Sequence, residues 1–258
     1  MRREADKIKE FIERIQTLSQ YRKRVSHIEY LPARGSHYKE PVHPLPQKLQ
    51  KALESLGINK LYSHQAEALD LIREGRNVAI VTPTASGKTL AFNLPVLEKI
   101  LADNESKALY LFPTKALTQD QMKSIKQLFK AVGGDFQAEI YDGDTTPYRR
   151  SKIRKKMPNI IMSNPDMLHA AILAHHSAWA DFFKNLKFVI VDEIHSYKGI
   201  FGCHVAHILR RLRRVCSYYG SNPQFILCSA TMANPEEFVG QLTGLEHEII
   251  KESGRGSC

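Results

Sequence analysis

The feature that most constrains this sequence is a repeated alternation between short, continuously apolar segments and amphipathic helical patterns. Six segments are predicted to be strands: residues 77–81, 108–112, 137–141, 159–162, 188–191 and 224–227. Strands that are apolar along their length are typical of parallel sheets with helices packed on both faces. We therefore predict an α/β domain whose ligands bind beyond the carboxyl ends of the strands.

The predicted domain begins near Pro46, and the residues before it follow a different pattern. Five apolar residues recur at helical spacing near the N-terminus and predict an amphipathic helix: Ile8, Phe11, Ile12, Ile15 and Leu18. Residues 25–46 contain proline and histidine without a regular period, which indicates an extended connector lying over the main domain. The sequence thus divides into residues 1–45 and residues 46–258.

Composition and charge bear on whether the protein is globular, membrane-bound or a partner of polyanions. The 258 residues are 43% hydrophobic, which is enough for a sizeable core. The apolar segments are too short to cross a bilayer and no signal-peptide core is visible, so we expect a cytoplasmic protein without a membrane partner. The formal net charge of +10 fits a polyanionic partner and ordinary surface charge equally well.

The cysteines do not indicate a metal site. Two of the four lie on apolar patterns and are predicted to be buried free thiols. The four are Cys203, Cys216, Cys228 and Cys258.

A glycine-containing turn follows the first predicted strand. Residues 82–89, Thr-Pro-Thr-Ala-Ser-Gly-Lys-Thr, lead into a predicted helix, which is the context of a phosphate-binding loop. Gly87 permits close approach of the backbone, Lys88 would pair with the β- and γ-phosphates, and the Thr89 hydroxyl would bind Mg²⁺. Thr82 stands where the general pattern has its first glycine. The predicted nucleotide-binding residues of this loop are Thr84, Ala85, Ser86, Gly87, Lys88 and Thr89.

Two adjacent carboxylates follow the fifth predicted strand. Asp192 is placed to hold Mg²⁺, directly or through water. Glu193 can then polarise the attacking water as a general base, so Glu193 and Lys88 are the candidate catalytic residues. Because adjacent carboxylates repel each other at a buried strand end, a cation or extra hydrogen bonds should accompany them. The cofactors implied are ATP and Mg²⁺.

Taken together, these segments resemble superfamily 2 helicases of the DExH type. Residues 82–89 match motif I, residues 192–195 (Asp-Glu-Ile-His) match motif II, and residues 229–231 (Ser-Ala-Thr) match motif III. The resemblance implies a RecA-like P-loop domain, with coupling roles for His195, Ser229 and Thr231. Residues 62–65 (Tyr-Ser-His-Gln) resemble the Q-motif, so Tyr62 and Gln65 would contact the nucleotide, with Gln65 at the adenine edge.

The same resemblance identifies a candidate nucleic-acid surface. Residues 113–117 (Pro-Thr-Lys-Ala-Leu) match motif Ia, and residues 163–166 (Ser-Asn-Pro-Asp) take the place of motif Ib. Loops and helix N-termini of this kind grip phosphates without reading bases. The implied contacts are Pro113, Thr114, Lys115, Asn164, Pro165 and Asp166.

Longer segments resemble, more narrowly, the bacterial MrfA/YprA-type DNA repair helicases. They are residues 82–89, 141–145, 164–169 and 201–205, within a similarity that runs from about Pro46 to Gly244. This resemblance implies a 3′-to-5′ DNA translocase whose partner is single-stranded DNA or a duplex with a single-stranded tail. It also implies a second RecA-like domain, for which too few residues follow Thr231.

Several alternatives stay open. An RNA helicase fits the generic motifs, and a nucleotide-dependent clamp without turnover fits them except for Glu193. The basic residues 149–156 are as compatible with DNA contact as with a solvated face. Residues 210–214 are interpreted as the solvated outer face of a helix, and Trp179 as a packing residue.

Overall fold

The computed structural model describes residues 2–21, 24, 26–27 and 35–256, with side chains from residue 7 onward. The chain divides into two compact units, of which Ser36–Gly256 is the larger. In the smaller unit, helix α1 (Arg2–Thr17) confirms the predicted N-terminal helix.

The predicted connector is only partly within the described residues, because residues 25 and 28–34 lie outside them. Residues 36–46 pack with the larger compact unit. The reason is local pairing, since Tyr38 forms an antiparallel bridge with Tyr62 and the Val42 N–H donates to the Asp70 carboxylate.

The described part of the chain contains one sheet of seven parallel strands. They are β1 (Val78–Val81), β2 (Lys107–Leu111), β3 (Ala138–Ile140), β4 (Ile160–Ser163), β5 (Leu186–Val191), β6 (Gln224–Ser229) and β7 (Glu248–Ile250). Their order is β3-β4-β2-β5-β6-β1-β7, and all neighbours are parallel. The six predicted strands are confirmed, whereas β7 was missed because its three residues are too short to show a pattern.

Helices cover both faces of this sheet. In the larger unit they are α2 (Gln47–Ser55), α3 (Ser63–Arg73), α4 (Lys88–Ala102), α5 (Lys115–Val132), α6 (Pro147–Lys156), α7 (Pro165–Met167), α8 (Ala180–Lys184), α9 (Gly199–Tyr218) and α10 (Pro235–Thr243). Among the residues that the structure describes, each helix is too short or too polar to span a lipid bilayer.

Successive side chains of each strand point to opposite faces of the sheet, so a separate hydrophobic core forms on each face. Helices α2 to α5 share one core with residues such as Ile190, and α6 to α10 share the other with Val189 and Val191. This arrangement confirms the predicted α/β domain. Trp179 is fully buried in the second core, as predicted.

The interpretation of residues 210–214 as a solvated face is wrong for three of the four arginines. Arg210 donates to the Gln241 carbonyl, Arg211 to the Leu173 carbonyl, and Arg213 to the carbonyls of Thr243 and Gly244. These arginines satisfy carbonyls that helical hydrogen bonding leaves free at helix ends.

The cysteine prediction is confirmed for the described thiols. Cys216 and Cys228 are buried and free, Cys203 is exposed and free, and Cys258 lies outside the described residues.

Candidate functional site

The predicted site residues converge at the carboxyl edge of the sheet. Strands β1 and β6 are neighbours, and Val81 is in register with Ser229. Strand β5 lies on the other side of β6, so Asp192 follows it at the same edge. Three segments that are distant in sequence therefore meet at one place.

The phosphate loop is held closed by its own polar groups. The hydroxyls of Thr82 and Ser86 lie 2.7 Å apart and share a hydrogen bond across the loop. The Lys88 ammonium donates to the carbonyls of Thr82 and Pro83, both at 2.9 Å. Thr82, which replaces the expected first glycine, is fully buried and supplies a cross-link that glycine could not.

Gly87 and Gln65 join this loop to helix α3. Gly87 has φ +90°, which favours glycine, and a Cβ there would lie 2.7 Å from Gln65 Nε2 and displace the Gln65 amide. Gln65 Nε2 donates to the Gly87 carbonyl, and Gln65 Oε1 accepts from the Tyr62 N–H, each at 2.9 Å. The Gln65 amide thus connects the Q-motif segment to the phosphate loop.

A cleft of about 740 Å³ opens beside the loop. Its lining includes Tyr62, Gln65, Gly87 and Thr89, four of the predicted nucleotide-binding residues. Tyr38 stacks on Tyr62 with ring centroids 5.2 Å apart and lines the same cleft. This aromatic pair offers a flat apolar surface of the kind on which a base can stack.

Two polar neighbours of the cleft were not predicted. Gln121 Nε2 donates to the Thr89 hydroxyl at 3.2 Å from helix α5. Tyr38 lies in the irregular segment before helix α2. No motif marks either residue, because each reaches the site only through tertiary packing.

The acidic pair lies in an environment that disfavours negative charge. Asp192 is 6% exposed. Burial raises its pKa to about 6, and the negative charge of Glu193 adds to the rise. The Glu193 N–H, 2.9 Å from Asp192 Oδ1, and the charge of Lys88 act in the opposite direction.

These residues fit a bound Mg²⁺. A divalent cation would offset the charge of the buried carboxylate pair. In the described ranges no cluster of three or more His, Cys, Asp and Glu side chains surrounds a possible metal position. Mg²⁺ takes one or two protein carboxylates together with substrate phosphates and water, and Asp192 can supply such a carboxylate.

A short polar chain links the acidic pair to the end of strand β6. Glu193 has a left-handed backbone, with φ +52°. Its Oε2 lies 3.1 Å from His195 Nδ1, and the Ser229 hydroxyl lies 3.4 Å from the same nitrogen. The predicted coupling residues His195 and Ser229 are thus in contact, whereas Thr231 is exposed.

Tyr197 is a buried residue of this region that sequence reasoning missed. Burial raises the pKa of its hydroxyl, and the nearby charges of Asp192, Asp166 and Glu193 add to the rise. The backbone at Tyr197 is pressed against helix α9, since a Cβ on Gly202 would lie 2.3 Å from the Tyr197 carbonyl oxygen.

The predicted nucleic-acid residues lie on two adjacent segments. Strands β2 and β4 are paired, and the segments that follow them begin helices α5 and α7. Thr114 Oγ1 accepts from the Leu117 N–H, and Asn164 Oδ1 accepts from the Met167 N–H, which caps each helix.

Side chains on these two segments differ in accessibility. Lys115 is exposed and pairs with Asp144 at 2.6 Å, and Asp166 is exposed as well. Pro113 is half-buried and Pro165 is buried, so Pro165 can shape the turn more readily than contact a ligand.

Comparisons with known proteins identify similar chains. The sequence model of the DEAD/DEAH box helicases matches residues 62–238. The ATP-dependent helicase YprA of Bacillus subtilis (strain 168) is 48% identical over 83% of this chain and 29% of its own length. The ATP-dependent helicase HRQ1 of Saccharomyces cerevisiae is 40% identical over 96% of this chain and 23% of its own length.

A solved structure is also similar. A crystal structure of the DUF1998 helicase MrfA bound to DNA and AMPPNP superposes with a TM-score of 0.85 at 43% identity. The match covers 92% of this chain and 34% of that one. The chain therefore spans about a third or less of the length of these relatives.

Proposed function

Because this chain belongs to the DEAD/DEAH box helicase family, we propose that residues 46–258 are the ATP-binding RecA-like domain of an ATP-dependent DNA helicase or translocase. The sequence-based resemblance to MrfA/YprA-type helicases and the RecA-like fold are confirmed. The observation that carries the proposal is the convergence of Lys88, Asp192 and Glu193 at one edge of the sheet, beside a cleft with a stacked aromatic pair.

In this proposal the phosphate loop binds the nucleotide phosphates. The Lys88 ammonium exchanges the carbonyls of Thr82 and Pro83 for β- and γ-phosphate oxygens, which are stronger acceptors because they are charged. Tyr62 and Gln65 line the cleft in which the adenine lies. Asp192 and the Thr89 hydroxyl would hold Mg²⁺, which supplies neutralisation of phosphate charge when bound.

Glu193 acts as the general base for the attacking water. Through its Oε2, Glu193 contacts His195, and His195 contacts the Ser229 hydroxyl, so hydrolysis can be coupled to the end of strand β6. A non-hydrolysing clamp has no need of a positioned base, so Glu193 favours a motor over a clamp.

Nucleic acid is proposed to contact the segments at residues 113–115 and 164–166. Helix α5 begins at the exposed Lys115, and a positive charge at a helix N-terminus suits a phosphate backbone. We propose DNA rather than RNA as the substrate because MrfA, at 43% identity, was crystallised with DNA. A 3′-to-5′ direction, a role in DNA repair and a second RecA-like domain that completes the motor are part of the same proposal.

Nucleotide titration tests the proposal directly. Lys88→Ala should weaken ATP binding far more than AMP binding, because only ATP presents the β- and γ-phosphates. Lys99→Ala is the matched control, since Lys99 is exposed near the other end of the same helix. Equal ATP binding by wild type and Lys88→Ala, measured with a fluorescent nucleotide, would refute the nucleotide site.

A further inference from the structure

The segment that follows strand β7 returns to the phosphate loop. The Arg255 guanidinium donates to the carbonyl of Ala85, at the tip of that loop. Arg255 lies outside residues 62–238, which the family model matches, and far from every motif in the sequence.

This return path is fixed by the backbone of Gly254. The Gly254 N–H donates to His64 Nδ1 at 3.1 Å, and the Gly254 carbonyl accepts from the His37 N–H at 2.7 Å. A Cβ on Gly254 would lie 2.5 Å from the His37 carbonyl oxygen and 2.5 Å from the Ser63 nitrogen. Only glycine fits there, so the position of Arg255 is built into the fold.

His64, on helix α3, accepts a hydrogen bond from the Gly254 N–H and so fixes the backbone next to Arg255. It is fully buried, and burial followed by the charge of Lys88 lowers its pKa to about 4, while a backbone interaction with Ser86 opposes the lowering. His64 is therefore neutral near pH 7. Because its Nδ1 accepts from Gly254, its proton is on Nε2, on the other side of the ring.

Two alternate peptide groups of the loop thus bond to residues outside it. Arg255 bonds the Ala85 carbonyl, and Gln65 bonds the Gly87 carbonyl. In a trans peptide the C=O and N–H groups point in opposite directions. With these carbonyls turned outward, the N–H groups of Ser86 and Lys88 point to the opposite side, where a phosphate would lie.

We propose that Gly254 and Arg255 form an outer brace that holds the phosphate loop in its phosphate-binding shape. Arg255 is a positioning residue in this role, because it acts through the Ala85–Ser86 peptide group. The brace makes residues 253–256 a part of the nucleotide site. This inference rests on the proposed binding of a nucleoside triphosphate at the loop.

The test is equilibrium titration of the 258-residue chain with ATP and with AMP. Arg255→Ala should weaken ATP binding by about 5- to 10-fold, as expected for loss of one solvent-exposed hydrogen bond of ordinary strength, and leave AMP binding unchanged. Arg255→Lys should recover most of the loss, because an ammonium can also donate to the Ala85 carbonyl. Gly254→Ala should reproduce the loss, since its Cβ displaces the segment.

Controls separate the brace from the site itself. Lys251→Ala removes a charge from the same segment at a residue that pairs with Glu236, and it should bind ATP as wild type does. Amide NMR should show the Ser86 resonance moving in Arg255→Ala and returning in Arg255→Lys.

These titrations distinguish failure of the brace from failure of the proposed function. If Lys88→Ala loses ATP binding and Arg255→Ala does not, the brace is refuted and the proposed function stands. If Arg255→Ala weakens ATP and AMP equally, the arginine does not act through the phosphate loop and the brace is again refuted. If Lys88→Ala binds ATP normally, the proposed function itself fails.

Discussion

Replacing Asp192 by Asn is expected to stabilise the nucleotide-free protein at neutral pH, although it removes a predicted Mg²⁺ ligand. The pKa of Asp192 rises from 3.8 to about 6, first because of burial and then because of the charge of Glu193. Between these two values the folded protein keeps a proton that the unfolded chain has lost. The free energy of unfolding therefore falls as pH rises through this window and stays lower above it.

The shift sets the size of the effect. A rise from 3.8 to about 6 corresponds to about 3 kcal/mol at neutral pH. Asn matches Asp in shape, carries no charge, and its Oδ1 can still accept from the Glu193 N–H. Because the new amide N–H groups also need partners in a buried position, we expect a net gain of about 1 to 3 kcal/mol.

Urea unfolding at a series of pH values, followed by circular dichroism, measures this difference. The gain of Asp192→Asn should be full at neutral pH and should disappear as the pH falls to about 4. Asp120→Asn is the matched control, since Asp120 is exposed and its substitution removes only a surface charge and an exposed ion pair with Lys123. If Asp192→Asn were less stable than wild type at neutral pH, or if its gain in unfolding free energy did not depend on pH, the pKa of Asp192 would not be raised in the folded protein.

Three further results are expected. In a protein containing both motor domains, Glu193→Gln should retain ATP and DNA binding while its ATPase rate falls about 10²–10⁴-fold; unchanged DNA-stimulated turnover would place the base elsewhere. The 258-residue polypeptide alone should bind Mg-ATP but show almost no steady-state ATPase activity, with or without single-stranded DNA. The reason is that an arginine finger accelerates hydrolysis by about 10³–10⁵-fold, and in this proposal that arginine comes from a second domain. Robust DNA-stimulated turnover by the monomer would contradict that view. Gly202→Ala should lower the free energy of unfolding by about 1 to 3 kcal/mol, because the new Cβ clashes with the Tyr197 carbonyl. A Cβ on Gly240 meets no atom within 4 Å, so Gly240→Ala should not lower it. Urea denaturation of both variants measures the difference.

Local patterns were sufficient for most of the sheet and for the motif residues. Strands such as β1 and β5 are apolar throughout, so their identity is encoded within a few residues, and the functional turns follow them directly. Strand β7 lacked that signal, because Glu248–Ile250 is short and half-exposed before its last residue. Its place in the sheet comes from pairing with β1.

Contacts between distant segments could not be predicted in this way. The bond from Gln121 to Thr89 and the bond from Arg255 to Ala85 join residues that no single pattern relates. The arginines of helix α9 illustrate the same limit. Helical spacing showed which face they occupy, but not that the ends of neighbouring segments would present carbonyls to Arg210 and Arg213.

The position of β1 between β6 and β7 has a consequence for how the phosphate loop can move. Hydrogen bonds on both edges make Val78–Val81 one of the segments whose amide protons exchange with solvent only when the whole domain unfolds. The loop at residues 82–87 has no such ladder, so only the side-chain bonds described above oppose its opening while the sheet stays folded. Slowed amide exchange on nucleotide binding should therefore begin abruptly after Val81.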